Sequence, residues 1–324
     1  MTGALYFDKN IMRRRKKQLD VVHRWEGNPI ITTEDIPSSC GDIYNSAAVK
    51  FGNTYLLLLD IEDQKGRQAI YIGRSDNGYH FDIEKTPFLS SDDIPDGKTY
   101  AAYGVMDPRI TFLEGSYYIV YMVNSALGFR LALAKTNDFI KVTHINYISE
   151  PDTKAGALFP EKIKGRYARL ERPKSGGRIW ISYSDDLIFW GDSKVLMSPR
   201  PGFWDFHRIG CAIPPFRIKN RNWLLIYYGI KDTVSGPLFR IGAAILDKDT
   251  PSKIISRTNI PLLSPRELHE RIGDVNNLIY TCGAILEDDD TLKIYYGAAH
   301  SCICIGTIKI GKIIENCIES KREF

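Results

Sequence analysis

Long hydrophobic runs are missing from this chain of 324 residues. No apolar stretch approaches the ~20 residues that a helix needs to cross a bilayer. The N-terminal residues also lack the apolar segment of a secretory signal peptide. We therefore expect no membrane partner and a cytoplasmic location.

An excess of charge of either sign is missing as well. The 43 Lys and Arg residues against 39 Asp and Glu leave a formal net charge of +4, which is too small to indicate nucleic acid as the main partner. The one basic run, RRRKK at residues 13–17, has no aromatic platform beside it. We interpret it as the solvated face of an N-terminal helix.

Metal-binding cysteine pairs are also missing. The six cysteines are scattered, and none shows the C-x₂-C spacing of a structural zinc site. Because free cysteine is among the most buried residue types, we expect reduced thiols in the core. The pattern predicts no metal site.

Helical periodicity is nearly absent, and the main helix candidate lies near residues 10 to 22. Strand-like apolar and aromatic runs recur instead, separated by turn residues. These runs are YLLLL (55–59), AIYI (69–72), YYIVY (117–121), IWISY (179–183), WLLIY (223–227) and LKIYY (292–296). The chain is therefore predicted to be all-β.

The strands follow a repeated order in which a polar segment is followed by a turn and then by an aromatic strand. Five copies begin near Tyr44, Met106, Ala157, Arg208 and Asn276. A period of about forty to sixty residues is typical of four-stranded propeller blades. We predict a five-bladed β-propeller over residues 25–324, preceded by a short helical extension at residues 1–24.

A propeller places the first strand of each blade around a central channel, so polar residues at the blade starts should converge. These residues are Asn45 and Ser46, Asp107 to Arg109, Lys154 with Arg172, His207 with Arg208, and His300. One carboxylic acid among several cations is what glycosyl transfer to an anionic acceptor needs.

Two structural alternatives to a catalytic role remain open for Asp107. Its carboxylate could form an Asx turn, or it could pair with Arg109. Because Asp107 precedes Pro108, we expect an extended backbone at the acid.

Ordered segments along residues 25 to 310 resemble glycoside hydrolase family 130, the β-mannoside phosphorylases and related mannosidases, which are five-bladed propellers. The segments are YNSAAV (44–49), GRS (73–75), MDPRI (106–110), LFPEKI (158–163) with RP (172–173), SDDLIFWG (184–191), RIG (208–210), WLLIY (223–227), GAA (242–244) and YGAA (296–299). Each segment alone is weak, but their common order is specific.

The resemblance implies a role for each matching residue. Asp107 matches the general acid, which is thought to protonate the leaving oxygen through a hydroxyl of the bound mannose. Asn45, Ser46 and Arg74 match residues that hold the mannose ring. Lys154, Arg172 and Arg208 match the phosphate-binding cations, although they could instead pair with Glu171, Asp152 and Asp205.

The sequence departs from the family pattern around this site. His300 stands where Asp is usual, and Asp60 stands where many members have a sugar-binding Arg; these two side chains could pair. Tyr228 replaces a His that assists phosphate. Ala155 follows Lys154 where Asn or Asp is common, and Met106 precedes the acid where Tyr is frequent. The departures leave the sugar and its linkage open.

The resemblance implies inverting phosphorolysis of a β-1,2- or β-1,4-linked mannooligosaccharide to α-mannose 1-phosphate and a shortened acceptor. Inorganic phosphate is then a co-substrate, and no metal or organic cofactor is needed. Relatives often assemble, and the sequence leaves open whether this chain forms a homo-oligomer. One alternative is an inverting hydrolase, in which Glu171 or Asp205 would have to act as the base. A second alternative is a non-catalytic sugar-binding propeller.

Overall fold

The apolar strand runs are buried on both faces, and this determines how the chain is built. The computed structural model describes residues 20–219 and 221–322. In β4 (Thr54–Asp63) alternate residues point to opposite faces, so Leu56 and Leu58 enter one hydrophobic cluster while Leu57 and Leu59 enter another. A strand that lies between two apolar layers therefore has apolar residues at consecutive positions of the sequence. All six predicted runs are strands.

The chain is all-β, as predicted, and its strands form five consecutive antiparallel units. The first unit contains β3 (Cys40–Phe51), β4, β5 (Gln68–Ser75) and β6 (Asp82–Ile83). The second contains β7 (Gly104–Leu113), β8 (Ser116–Ser125), β9 (Gly128–Thr136) and β10 (Thr143–Tyr147). A single parallel bridge between Gln68 and Gly104 joins these two units into one sheet.

The remaining units repeat the arrangement. The third contains β11 (Thr153–Leu158), β12 (Tyr167–Pro173), β13 (Ile179–Ser184) and β14 (Gly191–Met197). The fourth contains β15 (Arg208–Cys211), β16 (Phe216–Arg217), β17 (Trp223–Thr233), β18 (Gly236–Leu246) and β19 (Ile254–Arg257). The fifth contains β20 (Ile279–Leu286), β21 (Thr291–Ala298) and β22 (Cys302–Lys309).

The fifth unit is completed by the other end of the chain. Two short strands, β1 (His23–Arg24) and β2 (Ile31–Thr32), pair antiparallel with β22. His23 and Arg24 therefore belong to the sheet, although the predicted boundary assigns them to the extension. The candidate helix over 10–22 lies outside the described residues except for 20 to 22, which are not helical.

Helices are short and few in the described part of the chain. They are α1 (Gly97–Tyr100), α2 (Leu268–Arg271) and α3 (Ile310–Arg322), with 3₁₀ turns at Thr33–Asp35, Ser91–Asp93 and Ser175–Gly177. The helix α3 was not predicted from the sequence. It buries Ile310, Ile313 and Cys317 in a core cluster. Their spacing is that of one helix face. None of the described helices combines the length and apolar character that a membrane-spanning helix requires.

Five hydrophobic clusters lie between successive units. One joins the first and second units, and three more join the second to the third, the third to the fourth and the fourth to the fifth. The last cluster joins the fifth unit back to the first through side chains such as Ile285 and Leu57. The first strands β3, β7 and β11 also contact one another in turn, β11 contacts β15, and β20 contacts β3. The starts of the units are thereby brought together.

The contact between β20 and β3, which joins the fifth unit to the first, can be tested directly. A Cβ on Gly283 would lie 2.1 Å from the backbone nitrogen of Ala48, so one strand would have to move. We expect Gly283→Ala to lower the free energy of unfolding by about 3 kcal/mol, measured by denaturant titration. Gly191→Ala is the matched control, since nothing lies within 4 Å of its added Cβ. Equal stability of the two variants would contradict the close approach.

Candidate active site

Asp107 lies where the chain departs from regular strand geometry. It is the fourth residue of β7, in a β-bulge between Met106 and Arg109. Its φ of +54° is left-handed, so the expected extended backbone is wrong. Left-handed backbone is costly outside glycine and is held only where the surroundings fix it. Here the Asp107 N–H donates to Asp60 Oδ2 at 3.0 Å.

The Asp107 carboxylate is oriented by donors from two other units. Asn45 Nδ2 donates to Oδ1 at 2.7 Å, and the Tyr280 hydroxyl donates to Oδ2 at 3.1 Å. Arg109 donates to the main-chain oxygen of Asp107 at 3.1 Å, and the described residues show neither an Asx turn nor a carboxylate ion pair at this position. Both structural alternatives for Asp107 are therefore wrong. The carboxylate remains partly exposed.

Arg109, in the second unit, forms hydrogen bonds with groups of the fourth and fifth units. Its side chain is 1% exposed, and it donates to the carbonyl oxygens of Ala212 at 2.9 Å and Cys211 at 3.2 Å. It also donates to the Tyr280 hydroxyl at 2.9 Å. Tyr280 thus receives one hydrogen bond and gives one to Asp107. Tyr280 was not predicted as a site residue. It lies at the start of β20, and polar residues at the starts of the other units were predicted to converge.

Asp60 is a second carboxyl group beside the first. Its side chain is buried, Oδ2 accepts from Asp107, and Oδ1 has no hydrogen-bond partner. Burial, followed by the charge of Asp107, raises the pKa of Asp60 well above its ordinary value. The burial of Asp60 and the charge of Asp107 therefore both favour the neutral form of Asp60.

Unsatisfied polar atoms concentrate at the predicted site. Among the described residues, ten buried side-chain polar atoms lack a hydrogen-bond partner, and five belong to predicted site residues. They are Asn45 Oδ1, Ser46 Oγ, Asp60 Oδ1, Arg208 Nε and His300 Nδ1. Because buried polar atoms are otherwise nearly always paired, this concentration indicates a place for a polar ligand.

Three cations, Lys154, Arg172 and Arg208, lie within electrostatic range of one another, and the charge of Asp107 acts on Lys154 and Arg172. Lys154 and Arg172 are directly paired in register on β11 and β12. The Lys154 Nζ lies 3.6 Å from the centroid of the Phe129 ring, and Arg172 Nε donates to the Tyr228 hydroxyl at 3.0 Å. Burial lowers the pKa of Lys154, Asp107 opposes this shift, and Arg172 and Arg208 add to it.

The acidic residues offered as structural partners are engaged elsewhere, so that alternative is wrong. Glu171 pairs with Arg169, and the nearest cation to Asp152 is Lys174 at 3.9 Å. Asp205 is fully buried and pairs with Arg200 at 3.1 Å. In the described part of the chain, no ion pair involves Lys154, Arg172 or Arg208.

His300 lies within electrostatic range of Asp107. Its ring packs edge-on against Tyr44, with centroids 4.5 Å apart, and Nδ1 lies 3.6 Å from Asp274 Oδ2. The suggested pairing with Asp60 is absent from the described contacts of both residues. Burial lowers the pKa of His300 against the pull of Asp107 and Asp274. Met106 is buried next to the acid.

Arg74 is not brought to this group. Its Nε donates to Glu84 at 2.8 Å, and its Nη2 donates to the Phe139 carbonyl at 3.0 Å. It lies opposite Leu56 in the sheet, whereas Asp60 lies opposite Ile70. Four residues along β5 separate the two levels, a distance of roughly 13 Å. We therefore leave Arg74 out of the candidate site.

Comparisons with known proteins match nearly the whole chain to one family. The glycoside hydrolase family 130 model, described as beta-1,4-mannooligosaccharide phosphorylase, matches residues 12–319. A beta-1,2-mannobiose phosphorylase of Listeria innocua is 35% identical over 257 residues, covering 78% of this chain and 70% of the relative. A beta-1,4-mannooligosaccharide phosphorylase of Ruminococcus albus is 29% identical, covering 91% and 90%.

Solved structures give the same result. The Listeria innocua beta-1,2-mannobiose phosphorylase in complex with beta-1,2-mannobiose superposes with a TM-score of 0.83 at 28% identity, covering 92% of this chain and 99% of that one. A second structure, described with family 130 glycoside hydrolases that target beta-1,2 mannosidic linkages in Candida mannan, has a TM-score of 0.79 at 23% identity and shares the fold. On the family match over nearly its whole length, the chain belongs to glycoside hydrolase family 130.

Proposed function

We propose that this protein catalyses inverting phosphorolysis of β-mannosides, giving α-mannose 1-phosphate and a shortened acceptor. The proposal rests on one observation above the others: Lys154 interacts electrostatically with Arg172, Arg208 and Asp107, and the described residues show no ion pair for any of the three cations. Clustered cations repel unless an anion joins them, and guanidinium groups match phosphate oxygens in geometry. The phosphorylase names of the relatives support the same activity.

The reaction divides between the two sides of the site. Phosphate, held by the three cations and by the Tyr228 hydroxyl, attacks the anomeric carbon on the face opposite the leaving group. The glycosidic C–O bond breaks with inversion as the C–O bond to phosphate forms. Protonated Asp107 gives its proton to a hydroxyl of the mannose, which passes a proton to the leaving oxygen, and Asp107 ends as the carboxylate. The reverse reaction builds a β-mannoside from the sugar phosphate.

Hydrolysis lacks a suitable base at this site. An inverting hydrolase needs a second carboxylate to activate water. Glu171 is bound by Arg169 and Ser182, and Asp205 accepts from Arg200 and Tyr227. Asp60, the nearer carboxyl, has a raised pKa and holds the Asp107 backbone.

The mannosyl group is assigned to the side of the site opposite the cations. Asn45, Ser46 and Asp60 offer unpartnered oxygens to its hydroxyls, and His300 offers a ring nitrogen. Met106 supplies an apolar surface beside the acid. Activity assays with β-1,2- and β-1,4-linked mannosides decide between the two linkages.

We also infer the architecture and the location. Five units alternating with five hydrophobic clusters, the last of which joins the fifth unit to the first, support a five-bladed β-propeller that begins with β1. The residues before β1 are proposed as an extension. The six free cysteines, five of them buried, suit the reducing cytoplasm. Assembly into homo-oligomers is part of the same proposal.

The first test is phosphate dependence. The protein is incubated with β-1,2- and β-1,4-mannobiose, with and without inorganic phosphate, and the products are separated by ion-exchange chromatography. We expect α-mannose 1-phosphate only when phosphate is present, and Asp107→Asn should lower kcat by about 10²- to 10⁴-fold. Release of free mannose without phosphate would favour the hydrolase. Sugar binding without turnover of any linkage would favour a binding protein.

A second test separates the phosphate site from the fold. Hydrogen bonds to charged groups contribute about 1.5–3 kcal/mol, so Arg208→Ala should raise KM for phosphate by about ten- to hundredfold. KM for mannobiose should stay unchanged. Arg74→Ala is the matched control, because Arg74 pairs with Glu84 away from the site. If Arg74→Ala raises KM for the sugar instead, the assignment of Arg74 to the scaffold is wrong.

A third test uses the shifted pKa of Lys154. Burial lowers this pKa below the ordinary value of 10.5, and deprotonation removes a charge that binds phosphate. The kcat/KM for phosphate should therefore fall as the pH rises through the lowered pKa. Lys154→Arg keeps the charge and should abolish this alkaline loss, whereas Lys174→Arg, at an exposed position, should not. Identical alkaline limbs in wild type and Lys154→Arg would exclude Lys154 from phosphate binding.

A further inference from the structure

A cavity lies between the second and third units, and Asp107 is not among the residues that line it. Its volume is about 510 Å³, which is within the range of small-molecule sites. We call it the aromatic groove and define it by Arg130, Tyr147, Arg169, Glu171, Trp180 and Trp190. Arg169 and Glu171 alternate along β12 with Arg172, so the groove and the phosphate cluster occupy opposite faces of one strand.

The floor of the groove is a buried ion pair with an unused donor. Arg169 is 2% exposed and donates to the Glu171 carboxylate and to the Ile148 carbonyl. Glu171 also accepts from Ser182. The Arg169 Nε has no hydrogen-bond partner among the described residues. Because a buried N–H is rarely left unpaired, this donor indicates a polar ligand.

The walls of the groove present open aromatic faces. Trp180 lies directly opposite Glu171 in the sheet, and its half-buried side chain makes no hydrogen bond or ring contact with any described residue. Trp190 lies over Arg169, 4.4 Å from the guanidinium carbon to the ring centroid. Phe189 also lines the groove and is 79% exposed. An indole with a free face beside charged hydrogen-bonding groups can contact both the apolar and the hydroxyl sides of a sugar.

We propose that the aromatic groove binds a glycosyl ring of a β-mannooligosaccharide as a second, non-catalytic sugar site. A pyranose offers an apolar C–H face to Trp180 and hydroxyls to Arg169 Nε and the Glu171 carboxylate. The choice of mannoside rests on the proposed function. Thr153 and Pro173 line the groove and precede or follow Lys154 and Arg172 in the chain. A long substrate held there stays next to the active site.

The test is a fluorescence titration of the whole protein with β-1,2- and β-1,4-mannohexaose, without phosphate so that no phosphorolysis occurs. Trp180 and Trp190 are two of the five tryptophans, so occupancy of the groove should change the emission. We expect Phe189→Ala and Trp180→Ala to weaken binding by at least about fivefold. Phosphorolysis of mannobiose should keep wild-type kcat and KM in both variants.

Phe112→Ala is the matched control, because Phe112 is 54% exposed and does not line the groove. Phe189 is exposed, so Phe189→Ala remains informative if Trp180→Ala fails to fold. Wild-type affinity of Phe189→Ala for both hexaoses overturns the proposal. So does a change from oligomer to monomer in sedimentation with unchanged sugar affinity, which would make the groove an interface between copies. Saturable binding that depends on Phe189 supports the groove even if no phosphorolysis is found.

Discussion

The buried guanidinium of Arg109 is the contact on which the site depends. A buried charge must be fully hydrogen-bonded or it destabilises the fold. Arg109 meets this requirement with the carbonyls of Asp107, Cys211 and Ala212 and with the Tyr280 hydroxyl. These groups come from the second, fourth and fifth units. The units therefore have to come together for Arg109 to be satisfied, and the same arrangement points Tyr280 at the acid.

Much of the fold could be predicted because a strand that is buried on both faces has apolar residues at consecutive positions of the sequence. The run at 55–59 is apolar at every position since its alternate leucines serve two clusters. The helix α3 was missed although Ile310, Ile313 and Cys317 have helical spacing, because the five-copy strand pattern dominated the interpretation. Its apolar face covers the fourth unit at the end of the described chain.

The site was predictable in part, and the failures have two different causes. Asp107, Asn45 and the three cations follow from their positions at the starts of units. Tyr280 and the supporting role of Arg109 depend on contacts between units far apart in sequence. Arg74 failed for the opposite reason: a matching short segment places a residue on a strand, but not at the correct level of that strand. The left-handed backbone of Asp107 overrides the local preference set by Pro108.

The two substitutions at the sugar side keep the hydrogen-bonding pattern while removing charge. The family resemblance implies Arg at the position of Asp60 and Asp at the position of His300. Burial raises the pKa of Asp60, and a protonated carboxyl can donate a hydrogen bond as a guanidinium does. Burial lowers the pKa of His300, and a neutral imidazole keeps one acceptor nitrogen as a carboxylate keeps its oxygens. We infer that both side chains contact the sugar through hydrogen bonds, and that burial disfavours the charged form of each.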